Sequence, residues 1–486
     1  MESAYIVDYL CRTVGVAIEG SGSSDERVNK RTEAGMAEAF RRYVCGEEGD
    51  KGNAFFRMGD DALLRVYNGR YFEVIEEEML RSAIREVMRR CNVGLVYLTG
   101  SAKIVADYVC DSLLGDERCR FVADRRYVCF TNGVFDVETG RLLEHSCDLC
   151  TDVVMDFAYD GDAVSALWDA TLGQTVPDVG MRTAFQQFCG ATLMNREKNK
   201  FEYVCFCIGE GQNGKSIICK AVVNVFKAMG ERQRVVTTYT PEQLFRSQQM
   251  DYHMADINGK VLNYCDDVSD KDFSGGDFKS FVSGGEFTGR SPYAHKATRV
   301  TKIPLLLCCA NRIPPTTDDS DGYFRRFLLI SCPNKVSERD KDTQLEAKLR
   351  EDRVRAAIFN WIYEGYRQLM ANRCKIDMSD EVMAMREDMR SDSNSARRWV
   401  RESRLVRVEP EGRYDERWKS LREWLKMYRD YCMEYGEKQR TGKSVSALFK
   451  ELGYAAEKRR DGMWYCIGVE DDAEVVKEEE EEDLPF

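Results

Sequence analysis

Residues 209–216 read Gly-Glu-Gly-Gln-Asn-Gly-Lys-Ser, which fits the pattern G-x-x-x-x-G-K-S. Glycines here let backbone N–H groups turn inward around phosphate oxygens, and a helix starting at the loop adds positive dipole. The apolar run Tyr203–Ile208 predicts a strand entering the loop, and Ile217–Phe226 predicts a helix leaving it. Gly209, Glu210, Gly211, Gln212, Asn213 and Gly214 would form the cradle. Lys215 would reach the β- and γ-phosphates and Ser216 would hold Mg²⁺, so the pattern points to ATP and Mg²⁺.

Three further groups could complete such a site. Lys260–Tyr264 predicts a strand that runs into Cys265-Asp266-Asp267. Acids at the end of a core strand can coordinate Mg²⁺ and polarise an attacking water. A second core strand, Ile303–Cys309, ends at Ala310-Asn311, where an amide could orient water or simply favour the turn before Ile313-Pro314-Pro315. Arg325-Arg326 precede the strand Phe327–Ile330. An arginine so placed could complete a neighbouring subunit's ATP site, or it could be one of a surface pair.

A locally basic segment lies between the acids and Asn311. Lys279, Arg290, Tyr293, His295 and Lys296, followed by Arg299 and Lys302, interleave an aromatic ring with charges, as a backbone-tracking, base-stacking element would. Near the C-terminus, a helix over Trp418–Tyr435, a second over Ser444–Leu452 and a hairpin at Asp461-Gly462 suggest a winged helix. Lys458, Arg459 and Arg460 would sit on its wing, where phosphate contacts are natural; a protein-docking unit is the equal alternative.

The elements that must position these groups fall into an ordered series. An N-terminal segment (1–53) precedes an α+β domain (54–162) with hairpin signals at Asn68-Gly69 and Asn132-Gly133. A helical collar (163–200) leads into an α/β core (201–345) of strand, loop, helix and strand, the signature of a mostly parallel sheet. A charged helical region (346–415), the winged helix (416–470) and an acidic tail (471–486) complete the 486 residues.

Composition narrows the function classes. With 71 Lys+Arg against 83 Asp+Glu, the net charge of −12 excludes a uniformly basic DNA-coating protein but not a local basic channel. The tail alone carries nine acids and one lysine, leaving only −4 on the rest. No apolar run approaches the roughly 18–20 residues needed to span a bilayer. The 19 cysteines are dispersed, many within apolar runs, which suggests free thiols in a reducing cytoplasm. Cys147-x-x-Cys150 has no second pair at zinc spacing, so no zinc site is expected.

The loop, the acid pair, the strand-end Asn311 and Arg325-Arg326, in that order within about 120 residues, resemble the superfamily 3 replicative helicases of viruses, phages and plasmids. Phe130–Gly140 (Phe-Thr-Asn-Gly-Val-Phe-Asp-Val-Glu-Thr-Gly) and Phe188–Leu193 (Phe-Cys-Gly-Ala-Thr-Leu) are similar to stretches of the poxvirus and phage primase-helicase subgroup. No primase domain is evident before residue 54. The resemblance implies a ring-shaped hexamer of AAA+ domains with ATP sites between subunits, moving on single-stranded and forked DNA, usually 3′ to 5′. It also places the family's pore hairpin at the basic segment, and His295-Lys296-Ala297 resembles the hairpin tip of the papillomavirus replicative helicase. Asp267 stands where many subgroup members carry glutamate, so which acid is the base stays open.

The alternative class is an ATP-switched initiator or loader that binds DNA without processive unwinding. The tail ends Asp-Leu-Pro-Phe and resembles the C-terminal tip of bacterial single-stranded DNA-binding proteins. That resemblance implies a replication protein as partner, with Phe486 entering an apolar pocket, and the cytoplasm of a bacterial host.

Overall fold

The computed structural model describes residues 56–59, 63–76, 78–82, 85, 98–115, 117–229, 234–268, 275–290, 297–312, 316, 318, 320–337, 341–412, 415–437 and 439–470. Tyr293, His295, Lys296, the N-terminal segment (1–53) and the acidic tail lie outside them.

The chain begins with a small mixed sheet. Strands β1 (Phe56–Gly59), β2 (Leu64–Tyr67) and β3 (Phe72–Val74) form an antiparallel ladder, and β4 (Arg120–Phe121) joins β1 in parallel after helix α1 (Leu98–Gly115). Asn68 makes the expected turn between β2 and β3, its side-chain oxygen accepting from the backbone N–H groups of Arg70 and Tyr71.

A separate meander follows: β5 (Tyr127–Phe130), β6 (Gly133–Asp136) and β7 (Arg141–Leu143). Phe130 and Phe135 pack edge-on against Phe359, with ring centroids 4.8 and 5.3 Å away. This half of the predicted α+β domain therefore shares the main core. Asp136 is only 3% exposed. It accepts from Arg126, from Thr139 Oγ1 at 2.8 Å and from the backbone N–H of Glu138 at 3.1 Å. In this Asn-Gly-hydrophobic-Asp-Thr-Gly stretch the aspartate is a turn lock.

Arg126 foremost, with Thr139 and Glu138, holds the Asp136 carboxyl down to about 2 against the opposing effect of burial. Its contribution to stability, about 2 kcal/mol, is fully present above the ordinary carboxylate range near pH 4 and is lost as pH falls through about 2. Asp136→Asn should lower the urea-unfolding midpoint at pH 7, and the gap to wild type should close between pH 4 and 2. Equal midpoints at pH 7 would show that the lock adds nothing.

Two capped helices lead into the core: α2 (Ala166–Thr175), with Ser165 accepting from the Trp168 N–H, and α3 (Val179–Gly190), with Asp178 accepting from the Met181 N–H. The central sheet comprises β8 (Val204–Ile208), β9 (Val236–Thr237), β10 (Leu262–Cys265), β13 (Leu305–Ala310) and β14 (Phe327–Ser331), all parallel, in the order β14-β8-β13-β10-β9. Helix α4 (Lys215–Val225) follows β8; α5 (Pro241–Phe245) and α6 (Met250–Ile257) follow β9. Between β10 and β13 come α7 (Gly276–Val282) and the antiparallel hairpin of β11 (Phe287–Gly289) and β12 (Thr298–Val300), and α8 (Asp321–Phe324) precedes β14.

Alternate residues of the central strands enter two different cores. Cys205, Cys207, Leu307, Cys309, Leu328 and Ile330 face α2, α3 and α4; Val204, Phe206, Leu306, Cys308, Phe327 and Leu329 face α5 to α8. A sheet covered on both faces needs near-continuous apolar strands, which explains the uninterrupted runs and the thiols within them.

Helix α9 (Leu345–Leu349) leads to α10 (Asp352–Ala371), which crosses α3 at backbone contact. A Cβ on Gly190 would lie 2.2 Å from the Tyr366 nitrogen, and one on Gly365 would lie 2.1 Å from the Gln186 carbonyl. Then come α11 (Asp380–Asp392), α12 (Ser395–Glu402), β15 (Leu405–Arg407), β16 (Trp418–Ser420), α13 (Leu421–Glu434), α14 (Gly442–Glu451), β17 (Ala455–Arg459) and β18 (Gly462–Val469).

The C-terminal core joins Ala396, Trp399 and Leu405 to Trp424, Phe449 and Tyr465, so this unit begins near Asn394, upstream of the boundary at 416 read from sequence. Trp418–Ser420 forms a strand against β18, and the first helix starts only after Ser420, where Ser420 and Glu423 form a capping box.

Candidate functional site

In a parallel sheet every strand delivers its following loop to the same edge. The register pairs Ala310 with Ile208 and Cys265 with Cys308. The loop after β8, the acids after β10 and Asn311 after β13 therefore meet at the carboxyl edge, although up to about 100 residues separate them in sequence.

The loop is held open by its own chain. Gly214 has φ +79°, and a Cβ there would also lie 2.7 Å from Thr175 Oγ1, so this position takes glycine for both reasons. Asn213 is buried and donates through Nδ2 to the Cys332 carbonyl at 2.6 Å, tying the loop to the end of β14. Its Oδ1 is buried without a hydrogen-bond partner. Lys335 pairs with Glu210 at 2.5 Å.

Lys215 is 8% exposed and folds back over the loop. Its Nζ donates to the carbonyls of Gly209 at 2.8 Å and Glu210 at 3.4 Å, and to Asn311 Oδ1 at 2.9 Å. Asn311 on the neighbouring strand thus faces the same ammonium that the motif assigns to phosphate.

Asp266 is contacted by two residues that the sequence pattern did not single out. Lys220 pairs with it at 2.8 Å and Tyr264 donates its hydroxyl at 2.5 Å. Burial works against ionisation, yet hydrogen bonds from Lys220, Tyr264 and Ser216 hold the Asp266 carboxyl below its ordinary range. Lys220 lies one turn after Ser216 on α4, so the i, i+4 spacing was the available signal. The Asp267 backbone carbonyl accepts from Cys265 Sγ at 3.2 Å, and its side chain is exposed.

Arg325 and Arg326 lie at the opposite edge of the sheet, because Phe327 pairs with Val204 at the start of β8. A strand length of roughly 15 Å separates that edge from the glycine-rich loop of the same chain. The two arginines also differ. The Arg326 side chain is 9% exposed. It donates to Ser283 Oγ at 2.8 Å and to the Gly322 carbonyl, and it lies 3.7 Å from Glu202. Arg325 is 53% exposed and meets Glu202 at 3.5 Å.

The predicted nucleic-acid segment forms a hairpin base. Phe287 pairs with Val300 and Gly289 with Thr298, Arg299 is ion-paired to Glu286, and the Arg290 N–H donates to the Asp251 carbonyl on α6 at 2.9 Å. The tip carrying Tyr293, His295 and Lys296 lies outside the described residues. Lys279 is held by Asp318 at 2.6 Å and Ser320 at 3.0 Å, on the segment leading to α8. On the C-terminal hairpin, the Arg459 guanidinium lies between Trp418 and Trp464, 5.2 and 4.3 Å from their rings, while Arg460 is exposed.

Among the described residues no cluster of three or more His, Cys, Asp or Glu gathers in metal-binding geometry, and no helix is long and apolar enough to cross a membrane. The fold and site define a mixed α/β protein whose five-stranded parallel sheet carries a P-loop-like turn.

Residues 109–177 match the family described as D5 N terminal like, and residues 207–326 match a family of unknown function, DUF5906. A protein of Acanthamoeba polyphaga mimivirus named "Putative helicase L207/L206" is 24% identical over 225 residues, 44% of this chain. The chain spans 22% of that relative's length. One solved structure of the NrS-1 C-terminal region, in apo form, aligns over 87% of this chain and 100% of its own, with a TM-score of 0.44 and 12% identity. A second form aligns over 64% and 77%, with a TM-score of 0.39 and 11% identity.

Proposed function

We propose that this chain is an ATP-dependent DNA helicase of the superfamily 3 type, with an AAA+ core, working in the replication of a phage or virus-like element. The observation that carries this reading is the contact of Lys215 Nζ with Asn311 Oδ1 at 2.9 Å. It joins the phosphate-loop lysine to the strand-end amide of the resemblance, with Asp266 one strand further along the same edge.

The residues present fit a nucleotide. A left-handed Gly214 at the start of a helix and an ammonium bonded to loop carbonyls suit a phosphate cradle. Residues Gly209 to Ser216 would hold the triphosphate, and Ser216 with Asp266 would hold Mg²⁺, which supplies charge neutralisation on the phosphates when bound. Asp266, kept ionised, and the adjacent Asp267 stand ready as metal ligand and base.

Arg325 is exposed at the far edge, out of reach of its own loop, so its partner nucleotide belongs to a neighbouring subunit of a ring, a hexamer by the resemblance. The C-terminal helix–helix–hairpin unit is read as a winged helix, and the exposed Lys458 and Arg460, rather than the ring-stacked Arg459, are its available wing cations.

A forked-DNA strand-displacement assay run beside DNA-stimulated ATPase tests the proposal. ATPase without displacement would favour an initiator or loader. His295→Ala with Lys296→Ala should abolish displacement while leaving ATP binding intact. Wild-type displacement in that double variant would remove the hairpin tip from the mechanism.

A further inference from the structure

Arg386 projects from α11 toward the turn that carries Arg325. Its Nε and Nη2 both donate to the Phe327 carbonyl, at 3.1 and 2.8 Å. Its other contacts are the thioethers of Met383 and Met378, at 3.8 and 3.5 Å. Among the described residues it makes no ion pair with a carboxylate. A mostly buried guanidinium satisfied by a backbone carbonyl is an expensive arrangement.

What it holds explains the expense. The sheet register turns the Arg326 carbonyl toward β8, where it accepts from the Val204 N–H at 2.8 Å, so the Phe327 carbonyl faces the open edge of β14. Arg386 caps that edge two residues after Arg325. Met389 of α11 packs in the same core as Tyr323, Phe324 and Phe327.

The same helix reaches the C-terminal unit. Arg390, one turn after Arg386, is ion-paired to Glu451 at the end of α14 and lies 4.0 Å from Asp321, the first residue of α8. Arg397 of α12 also reaches Glu451, at 2.5 Å. Glu451 is thus shared by two arginines.

We infer that α11 is a relay: Arg386 positions Arg325 for the neighbouring subunit's nucleotide, and Arg390 with Glu451 couples that position to the C-terminal unit. This rests on the shared-site reading above. Arg386 is a positioning residue, acting through the backbone on which Arg325 stands. The phosphate loop of its own subunit lies a strand length away and should not sense its loss. Glu451 touches neither nucleotide nor the arginine turn, so its loss should leave the basal rate alone and disconnect the response to DNA.

The test measures ATP hydrolysis by the full-length protein, with and without single-stranded and forked oligonucleotides, for Arg386→Met, Arg386→Lys, Glu451→Gln and Arg325→Ala. Arg386→Met should lower kcat about 10- to 100-fold, the scale of an ångström's misplacement, with KM for ATP unchanged. Arg386→Lys should restore part of the rate. Glu451→Gln should keep the basal rate and lose DNA stimulation.

If Arg325→Ala hydrolyses at the wild-type rate, the shared-site reading fails and the relay with it. If Arg325→Ala is inactive but Arg386→Met keeps wild-type kcat, or Glu451→Gln keeps full DNA stimulation, the relay alone is overturned. Fluorescent nucleotide binding and thermal unfolding identify a misfolded variant. Should Arg386→Met misfold, Glu451→Gln carries the decision: intact DNA stimulation in it overturns the relay.

Discussion

Replacing Lys215 with alanine is expected to reduce DNA-stimulated ATP hydrolysis to background. The ammonium binds the Gly209 and Glu210 carbonyls and Asn311 Oδ1 in one small volume, and it is the one cation that the loop motif itself supplies. Truncation removes the group placed to meet charge developing on the transferred phosphate. Losing one preorganised electrostatic contact of this kind costs on the order of 10²–10³ in rate. It also leaves the Asn311 amide oxygen without the partner that fixes it, so water orientation should suffer as well. Lys215→Met, which keeps most of the apolar stem, separates loss of charge from loss of packing. Both variants should be equally inactive in a phosphate-release assay. Undiminished hydrolysis in either would sink the phosphate-loop assignment.

The second large effect is expected from the arginine pair. An arginine supplied in trans contributes about 10³–10⁵ in rate, and the shared site proposed above gives that task to Arg325. Arg325→Ala should abolish hydrolysis without altering thermal stability, because the side chain is exposed and makes one long contact to Glu202. Arg326→Ala should lower stability, since it leaves Ser283 and Glu202 without a buried cation. Mixing an Arg325→Ala/Arg326→Ala subunit with a Lys215→Ala subunit should recover part of the activity, because a complete site can form at a mixed interface. Co-assembly confirmed by pull-down, with no recovery at any ratio, would argue for a site built within one subunit.

The two experiments depend on opposite edges of one sheet. The sequence predicts a parallel sheet but not its order. The order β14-β8-β13-β10-β9 puts Asn311 beside the loop and makes it a partner of Lys215. Strand direction, not order, keeps Arg325 at the far edge, because it precedes the parallel strand β14.

The glycine-rich loop and its flanking strand and helix were legible because their signals are local. Eight consecutive residues contain the glycines, the lysine and the hydroxyl, and the flanking apolar runs must become strand and helix whatever surrounds them. The acids and Asn311 were legible because each ends an apolar run, and buried strands end where polar residues begin. The turns at Asn68 and Asn132 were legible for the same local reason.

Contacts across long sequence separations were not legible. Nothing in the sequence says that Asp266 comes to the face of α4 that carries Ser216 and Lys220, that the Arg459 guanidinium lies over the rings of Trp418 and Trp464, or that Arg386 caps the strand beginning at Phe327. Asp136 reads as a motif residue, and only the fold shows it locking a turn against Arg126. A charged side chain's sequence position fixes its reach but not its partner. Which partner it finds depends on the packing of apolar faces, and those are matched only when the whole chain closes.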